Sequence, residues 1–264
     1  LKEIRQDTQP GKQMNRLLQG DVGSGKTMVA LLCMLLAIDN DFQTCLMAPT
    51  EILAMQHYTG IEELLAAMPI EIGYLSGKTK AKDRKILLSR LQSGDLKILI
   101  GTHALIEDKV TFKNLGLCII DEQHRFGVAQ RAKLYDKNTL PPHILVMTAT
   151  PIPRTLAMTS YGDLEVSVIK EMPPGRKPIS TVHRPEMYRA KVMDFIKSEI
   201  AQGRQIYIVY PLIAESEKLD YENLYAGYEQ VKQFFPDHLY QIAMVHGKQT
   251  QEEREQNMQS FVKG

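Results

Sequence analysis

The sequence lacks several features that would assign it to a specialised class of protein. None of its 264 residues is tryptophan, and 32 basic residues are almost balanced by 31 acidic ones, so the formal net charge is only +1. A chain without a global charge excess has no overall field that attracts nucleic acid, so any such binding must come from local loops. Its composition is ordinary for a soluble globular protein, and its length favours about two domains.

Cysteine, zinc-type patterns and long apolar runs are also scarce. Cys33, Cys45 and Cys118 lie inside apolar segments without metal-type spacing, so we predict that they are core residues in a reducing compartment. The histidines form no H-E-x-x-H pattern, and we therefore predict no zinc site. The apolar segment at residues 28–38 is too short to span a bilayer, and no signal peptide opens the chain. These absences predict a cytoplasmic protein without a membrane span.

What the sequence does contain is a glycine-rich phosphate-binding pattern. Residues 20–27 read G-D-V-G-S-G-K-T, between segments typical of a strand and of a buried helix. Glycines let the backbone N–H groups turn toward phosphate oxygens, and the next helix adds a partial positive charge at its N-terminus. Lys26 can reach the β- and γ-phosphates, and the Thr27 hydroxyl can bind Mg²⁺. The predicted phosphate-binding residues are Gly20, Asp21, Val22, Gly23, Ser24, Gly25, Lys26 and Thr27, with Lys26 also catalytic.

A nucleotide hydrolase needs acids near this loop. Residues 117–120 are apolar and are followed by Asp121 and Glu122, as expected for a buried strand that ends in two carboxylates. At such a position the first acid holds Mg²⁺, normally through water, and the second orients and polarises the attacking water. We therefore predict that Asp121 is a catalytic magnesium ligand and Glu122 a catalytic residue. Both are expected at the tip of a strand adjacent to the one that leads into the glycine loop.

Alternating apolar runs and helical patterns predict an α/β fold with parallel sheets. In the first part of the chain, strands are predicted at residues 43–48, 70–75, 96–100, 115–120 and 143–148, and helices at 51–67, 79–92 and 128–135. After a segment rich in proline, the second part has predicted strands at 179–183, 205–210 and 239–245, and helices at 186–202, 221–235 and 249–262. We therefore predict two lobes, residues 1–168 and 179–264, joined by a linker at 169–178.

Several short stretches, in order, resemble the motifs of superfamily 2 helicases. D-E-Q-H at residues 121–124 resembles motif II in its D-E-x-H form. The stretch A-P-T-E-I-L-A-M-Q at 48–56 resembles motif Ia, G-T-H-A-L at 101–105 resembles motif Ib, and T-A-T-P at 148–151 resembles motif III. The stretch V-H-G-K at 245–248 falls where the second lobe has a glycine segment. Longer strings at 18–27, 121–128 and 148–156 are similar to the bacterial branched-DNA helicases of the RecG family. The resemblance covers essentially the whole chain.

The resemblance implies two RecA-like P-loop lobes, the second incomplete, with ATP and Mg²⁺ as cofactors. It implies an ATP-dependent motor that moves on branched or forked DNA in repair and recombination, through fork reversal and Holliday junction migration. It also implies coupling roles for Gln123, His124, Thr148 and Thr150, and DNA contacts at Thr50, Gly101, Thr102 and Gly247. For either DNA-contacting threonine, the alternative is a helix N-cap or turn residue.

Parts of such a motor are not found in this sequence. Motifs V and VI, an N-terminal wedge domain and a C-terminal domain are expected of the family, so we interpret the chain as a piece of a longer bacterial protein. Because an arginine supplied across the lobes contributes about 10³–10⁵ in rate, the chain alone is expected to bind nucleotide weakly and hydrolyse it slowly or not at all. Two alternatives stay open: a transcription-repair coupling type of double-stranded DNA translocase, and a P-loop ATPase without a nucleic-acid partner.

Overall fold

The chain divides into two compact units, Leu1–Lys177 and Pro178–Gly264. The structure is a computed structural model that describes residues 1–8, 12–122, 137–138, 140–150, 164–171, 175–177, 179–210 and 217–263, with the backbone alone for 217–223 and 251. The first unit contains the predicted phosphate loop, so its sheet decides where that loop lies.

In the described part of the first unit, a seven-stranded sheet forms the centre. In chain order its strands are β1 (Asn15–Gly20), β2 (Gln43–Met47), β3 (Ile72–Leu75), β4 (Ile98–Gly101), β5 (Leu115–Asp121), β6 (His143–Thr148) and β7 (Glu165–Ile169). They are arranged β3-β4-β2-β5-β6-β1-β7, and every neighbouring pair is parallel. All of these strands therefore end at one edge of the sheet, which is where α/β proteins bind ligands.

Helices follow several of the strands. Helix α1 (Lys2–Asp7) precedes β1, whereas α2 (Lys26–Asp39), α3 (Glu51–Leu65), α4 (Ala81–Ser93) and a short 3₁₀ helix, His103–Ile106, follow β1, β2, β3 and β4. The central strands are largely apolar, and their alternate apolar residues belong to two separate hydrophobic clusters. Ile119 packs in the same cluster as Met34 of α2, whereas Ile120 packs in the other. Because successive strand residues point to opposite faces, the sheet is covered on both sides, and the predicted α/β fold with a parallel sheet is confirmed.

One predicted feature of the sheet is wrong. The strand that leads into the glycine loop, β1, and the strand that ends in Asp121, β5, are not adjacent, because β6 pairs with both of them. Two strand spacings, about 10 Å, therefore separate the tips of β1 and β5. Thr148 at the end of β6 lies between them, paired with Gln19. Which strands are adjacent in a sheet depends on pairing between distant segments, so the apolar pattern of each strand does not predict it.

Strand β7 was not predicted, and its position explains why. Within the described residues it pairs with β1 alone and lies at the edge of the sheet. Its residues are exposed or partly buried, in contrast to the fully buried run of β6. An edge strand that is half exposed needs no continuous apolar run, so the sequence signal is weak.

The second unit contains helices α5 (Arg189–Ala201), α6 (Glu217–Phe234) and α7 (Gln251–Lys263), preceded by a 3₁₀ turn, Glu186–Tyr188. Met193, Val231 and Phe235 form its small buried cluster. The helices agree with the predicted ones, but no strand is assigned to the predicted segments 179–183, 205–210 and 239–245. A strand exists only through the ladder it forms with a neighbour, and these segments pair with none in the described part of the unit.

The scarce cysteines are core residues, as predicted. Cys33, Cys45 and Cys118 are all free and buried, and Cys45 Sγ lies 3.4 Å from Cys118 Sγ. Burial raises the pKa of the Cys33 thiol to about 11 and also raises that of Cys118. A thiol with a raised pKa is a poor nucleophile. Within the described residues, no helix combines the length and apolar character needed to cross a membrane.

Gln43 is a buried polar residue on which the sheet depends. It is 1% exposed, its side-chain amide donates to Leu91 O and Leu96 O, and its carbonyl accepts from the N–H groups of Lys113 and Asn114. Gln43→Ala is expected to lower the free energy of unfolding by about 4 kcal/mol, because it leaves buried backbone groups unpaired. Urea denaturation followed by circular dichroism measures this change. The exposed Gln92→Ala in α4 is the control, and equal stability of the two variants would contradict the prediction.

Candidate nucleotide-binding site

The predicted phosphate loop connects the end of β1 directly to the start of α2. Gly23 and Gly25 have φ angles of 80° and 91°, and Gly25 is the N-cap of the helix. Residues with a Cβ rarely adopt this left-handed conformation, which explains the glycines at these two positions. The loop therefore leads into a helix N-terminus, which carries the partial positive charge that favours anions.

The Lys26 ammonium is held against the loop itself. It donates to Gly20 O at 2.7 Å and to Asp21 O at 2.9 Å. These contacts place the positive charge beside the backbone that the motif predicts to surround the phosphates. Thr27, the predicted magnesium ligand, is exposed in the first turn of α2.

The loop also carries a negative charge, which an arginine compensates. Asp21 Oδ1 accepts from the Val22 N–H, and Asp21 Oδ2 lies 2.6 Å from Arg176 Nη1. Arg176 donates to Val22 O as well, at 3.2 Å. The Val22 N–H first, and then Arg176, lower the pKa of the Asp21 carboxyl. Arg176, a residue of the predicted interlobe linker, thus contacts the phosphate loop. No sequence motif predicts this contact.

Arg176→Ala is expected to weaken nucleotide binding by about threefold, since it leaves the Asp21 carboxylate uncompensated near the phosphates, within the range of exposed ion pairs. The double variant Arg176→Ala/Asp21→Asn should recover most of this affinity, because it removes the repelling charge. Titration with a fluorescent ATP analogue measures both changes, and Arg5→Ala, on the surface of α1, is the control. The prediction is wrong if Asp21→Asn gives no recovery.

Asp121, the first predicted acid, is buried at the end of β5 and contacts a histidine. It is 8% exposed, and its Oδ2 lies 2.7 Å from Nε2 of His57. His57 belongs to α3, the helix that follows β2. No sequence motif includes this histidine. Its signal was its position among the buried residues Ala54, Ile61 and Leu65 of α3, where an imidazole needs a polar partner.

Glu122, the second predicted acid, contacts the end of β6. Its Oε1 accepts from the Ala149 N–H at 2.9 Å, and its Oε2 accepts from Thr148 Oγ1 at 3.2 Å. Thr148 Oγ1 in turn accepts from the Thr150 N–H. The φ angle of Glu122 is 49°, an unusual value for a residue with a Cβ and one that is frequent at functional sites. The structure thus joins the predicted catalytic acid to both predicted coupling threonines.

Other predicted site residues fall in different surroundings. Gln123 and His124 lie outside the described residues. Thr50 is the N-cap of α3, and its Oγ1 accepts from the Leu53 N–H at 3.3 Å, which is the N-cap alternative considered above. Gly247 is exposed in a turn of the second unit.

The predicted DNA contacts at residues 101 and 102 have structural roles in the sheet. A Cβ at Gly101 would lie 2.0 Å from Leu75 O, so the close approach of β4 to β3 requires glycine there. Thr102 is 2% exposed, and its N–H donates to Leu75 O. The packing of the sheet therefore accounts for Gly101, whereas the backbone hydrogen bond of Thr102 does not depend on its side chain. DNA contact at these positions stays a prediction.

Known proteins match the chain in sequence and in fold. Residues 3–159 match the DEAD/DEAH box helicase family. The ATP-dependent DNA helicases RecG of Aquifex aeolicus and Bacillus subtilis are 47% and 48% identical to the chain over 99% of its length, which covers 33% and 38% of theirs. A solved structure of RecG bound to a three-way DNA junction is 42% identical, with a TM-score of 0.76 over 100% of this chain and 34% of that one.

The chain spans about a third of the length of the RecG relatives, so the matches concern this region of a longer protein. They confirm the predicted resemblance to RecG and the α/β RecA-like helicase fold of the chain. The chain belongs to the DEAD/DEAH box helicase family, and within that family its sequence and fold match those of RecG over nearly its whole length.

Proposed function

We propose that the chain is the ATP-driven motor region of a RecG-type DNA helicase that moves on branched DNA. The proposal rests on one observation: the glycine loop, Asp121 and the Glu122–Thr148 contact lie at the same edge of the sheet. The relatives that match the chain are ATP-dependent DNA helicases. In the same proposal, residues 1–168 are the first motor lobe, 169–178 the interlobe linker and 179–264 part of the second lobe. Such a protein works on chromosomal DNA in the bacterial cytoplasm.

In this proposal the glycine loop binds the phosphates of ATP, and the acids promote hydrolysis. Backbone N–H groups of residues 20–27 and the N-terminus of α2 bind the phosphates, and the Lys26 ammonium stabilises charge that develops on the γ-phosphate. Glu122 orients and polarises the attacking water. Each of its oxygens already accepts one hydrogen bond, but a carboxylate oxygen has a second lone pair for a water.

The oxygen groups at this edge fit a magnesium ion. Thr27 offers a hydroxyl and Asp121 a carboxylate, and Mg²⁺ prefers hard oxygen ligands. In the described residues, no group of three or more His, Cys, Asp and Glu side chains forms a cage for a metal. Mg²⁺ is commonly bound by one or two protein oxygens together with phosphate oxygens and waters, so the sparse ligand set is suitable. The bound ion would neutralise phosphate charge.

Coupling of hydrolysis to movement is proposed to run through the end of β6. Because Glu122 accepts hydrogen bonds from Thr148 and Ala149, a change in the Glu122 carboxylate during hydrolysis must alter this strand end. Gln123 and His124 are proposed to sense the γ-phosphate beside it. Thr50, Gly101, Thr102 and Gly247 are proposed to contact the DNA backbone, which carries no sequence information.

The proposed substrate is branched or forked DNA, because a RecG relative has been solved on a three-way DNA junction. ATP hydrolysis by the full-length protein should be measured without DNA and with single-stranded, duplex, forked and three-way-junction DNA. The proposal predicts stimulation by DNA, strongest for the branched substrates. Strongest stimulation by plain duplex would favour a transcription-repair coupling type of translocase, and no stimulation by any DNA would favour a P-loop ATPase without a nucleic-acid partner.

A further inference from the structure

We propose that His57 is a positioning residue of the ATP site, which holds Asp121 in place and ties this acid to helix α3. The inference rests on the proposed function and adds a physical link between a predicted DNA contact and the acid that would hold magnesium. His57 Nε2 and Asp121 Oδ2 are 2.7 Å apart, and each side chain is only 12% exposed. At this distance and burial, the pair is a short hydrogen bond largely protected from water.

The fold explains why these two residues meet. The strands β2 and β5 are neighbours, with Met47 paired to Ile120, so their ends lie side by side. Helix α3 starts just after β2, and His57 lies on the same helix face as the buried Ala54 and Ile61. That face packs toward the sheet, which brings the imidazole to the end of β5.

The hydrogen bond fixes the orientation of the carboxylate. Asp121 is at the last position of β5, and His57 is the one side chain that hydrogen-bonds it in the described part of the chain. With Oδ2 engaged, Oδ1 keeps its full capacity to accept a water or bind a cation. Groups that orient metal-binding carboxylates in this way affect metal affinity strongly, typically by 10–100-fold.

The same helix reaches a predicted DNA contact. Thr50 caps the N-terminus of α3, and His57 lies seven positions later, about 10 Å along the helix axis. The 15 residues of α3 are held by continuous backbone hydrogen bonds, so a displacement of one end of the helix is transmitted to residues two turns away. A phosphate that shifts the Thr50 end of α3 therefore also shifts His57 and, through it, Asp121. His57 thus gives DNA binding a direct route to the ATP site.

The test compares His57→Ala, His57→Gln and Tyr58→Phe in the full-length protein. The magnesium concentration for half-maximal binding of a fluorescent ADP analogue is measured, along with the factor by which a three-way junction stimulates ATP hydrolysis. His57→Ala should raise the magnesium requirement by about tenfold and reduce the stimulation factor to a similar extent. The affinity of His57→Ala for the nucleotide in EDTA, without free magnesium, should equal that of the wild type. A general loss of structure would lower this affinity as well. His57→Gln keeps an N–H donor and should recover part of both effects.

Tyr58→Phe is the matched control, because it removes a hydrogen bond to Glu62 from the same helix without touching Asp121. The inference is overturned if His57→Ala has the magnesium requirement and the stimulation factor of the wild type. It is also overturned if His57→Gln and His57→Ala lose magnesium affinity and stimulation equally and both have a lowered melting temperature. If the wild-type enzyme responds to no DNA, the proposed function fails instead, and the magnesium requirement alone still decides the role of His57.

Discussion

Lys26→Ala is expected to abolish ATP turnover by the full-length protein, with a loss of at least about 10³-fold in kcat/KM. The substitution removes the ammonium that lies against Gly20 O and Asp21 O, so the charge that develops on the γ-phosphate loses the cationic side chain of the loop. Nucleotide affinity should fall as well. Steady-state hydrolysis and titration with a fluorescent ATP analogue measure the two effects separately.

A further variant separates charge from geometry at this position. Lys26→Arg keeps the charge but replaces a compact ammonium with a wide planar group, so it should bind nucleotide better than Lys26→Ala while turnover stays low. Lys82→Ala removes an exposed lysine from the first turn of α4 and should behave as the wild type. Substantial turnover in Lys26→Ala would contradict the role assigned to the glycine loop.

Glu122→Gln is expected to lower kcat by about 10³-fold while ATP still binds, because water activation is lost but the phosphate-binding loop is intact. The amide has nearly the shape of the carboxylate. Its oxygen can still accept from the Ala149 N–H, and its amino group can donate to Thr148 Oγ1. The structure at the end of β6 should therefore be retained. Single-turnover hydrolysis and equilibrium ATP binding are the measurements.

The control for Glu122→Gln is Glu63→Gln, an exposed glutamate on α3. Unchanged turnover in Glu122→Gln would remove Glu122 from the catalytic group. Loss of ATP binding together with turnover would assign it a structural role instead. The thermal melting temperature should be close to that of the wild type in both variants, since no buried apolar contact changes.

Local patterns were sufficient to predict much of the first unit. Strand β6 was predicted with its observed bounds, and β5 differs only by including Asp121, because both are continuous apolar runs of buried parallel strands. The start of α2 follows from the glycines at 23 and 25, whose backbone conformation few other residues adopt. These features depend on neighbouring residues along the chain, which is the information that one sequence contains.

Features that depend on distant pairing were predicted less well. The interposition of β6 between the glycine loop and Asp121 is a property of the sheet order. The half-exposed edge strand β7 has no continuous apolar run from which it could be predicted. In the second unit, residues 205–210 have the composition of a strand but no ladder in the described residues. Composition sets a preference, and the partner decides whether the strand forms.

Two polar contacts at the site were also missed for a physical reason. His57 and Asp121 are 64 positions apart in the sequence, and Asp21 and Arg176 are separated by 155. No spacing rule connects residues this distant. A histidine within the buried stripe of α3 does indicate that a polar partner exists, but it does not identify Asp121 as that partner.

The central claim is that the glycine loop and Asp121 bind a single nucleotide–metal complex between them. A crystal structure of the full-length protein with a non-hydrolysable ATP analogue and Mn²⁺ in place of Mg²⁺ tests this directly, because anomalous scattering locates the metal. We predict one metal peak bonded to Thr27 Oγ1 and a phosphate oxygen, with Asp121 bonded to it directly or through one water. A metal peak away from both residues, or a nucleotide bound outside residues 20–27, would contradict the account.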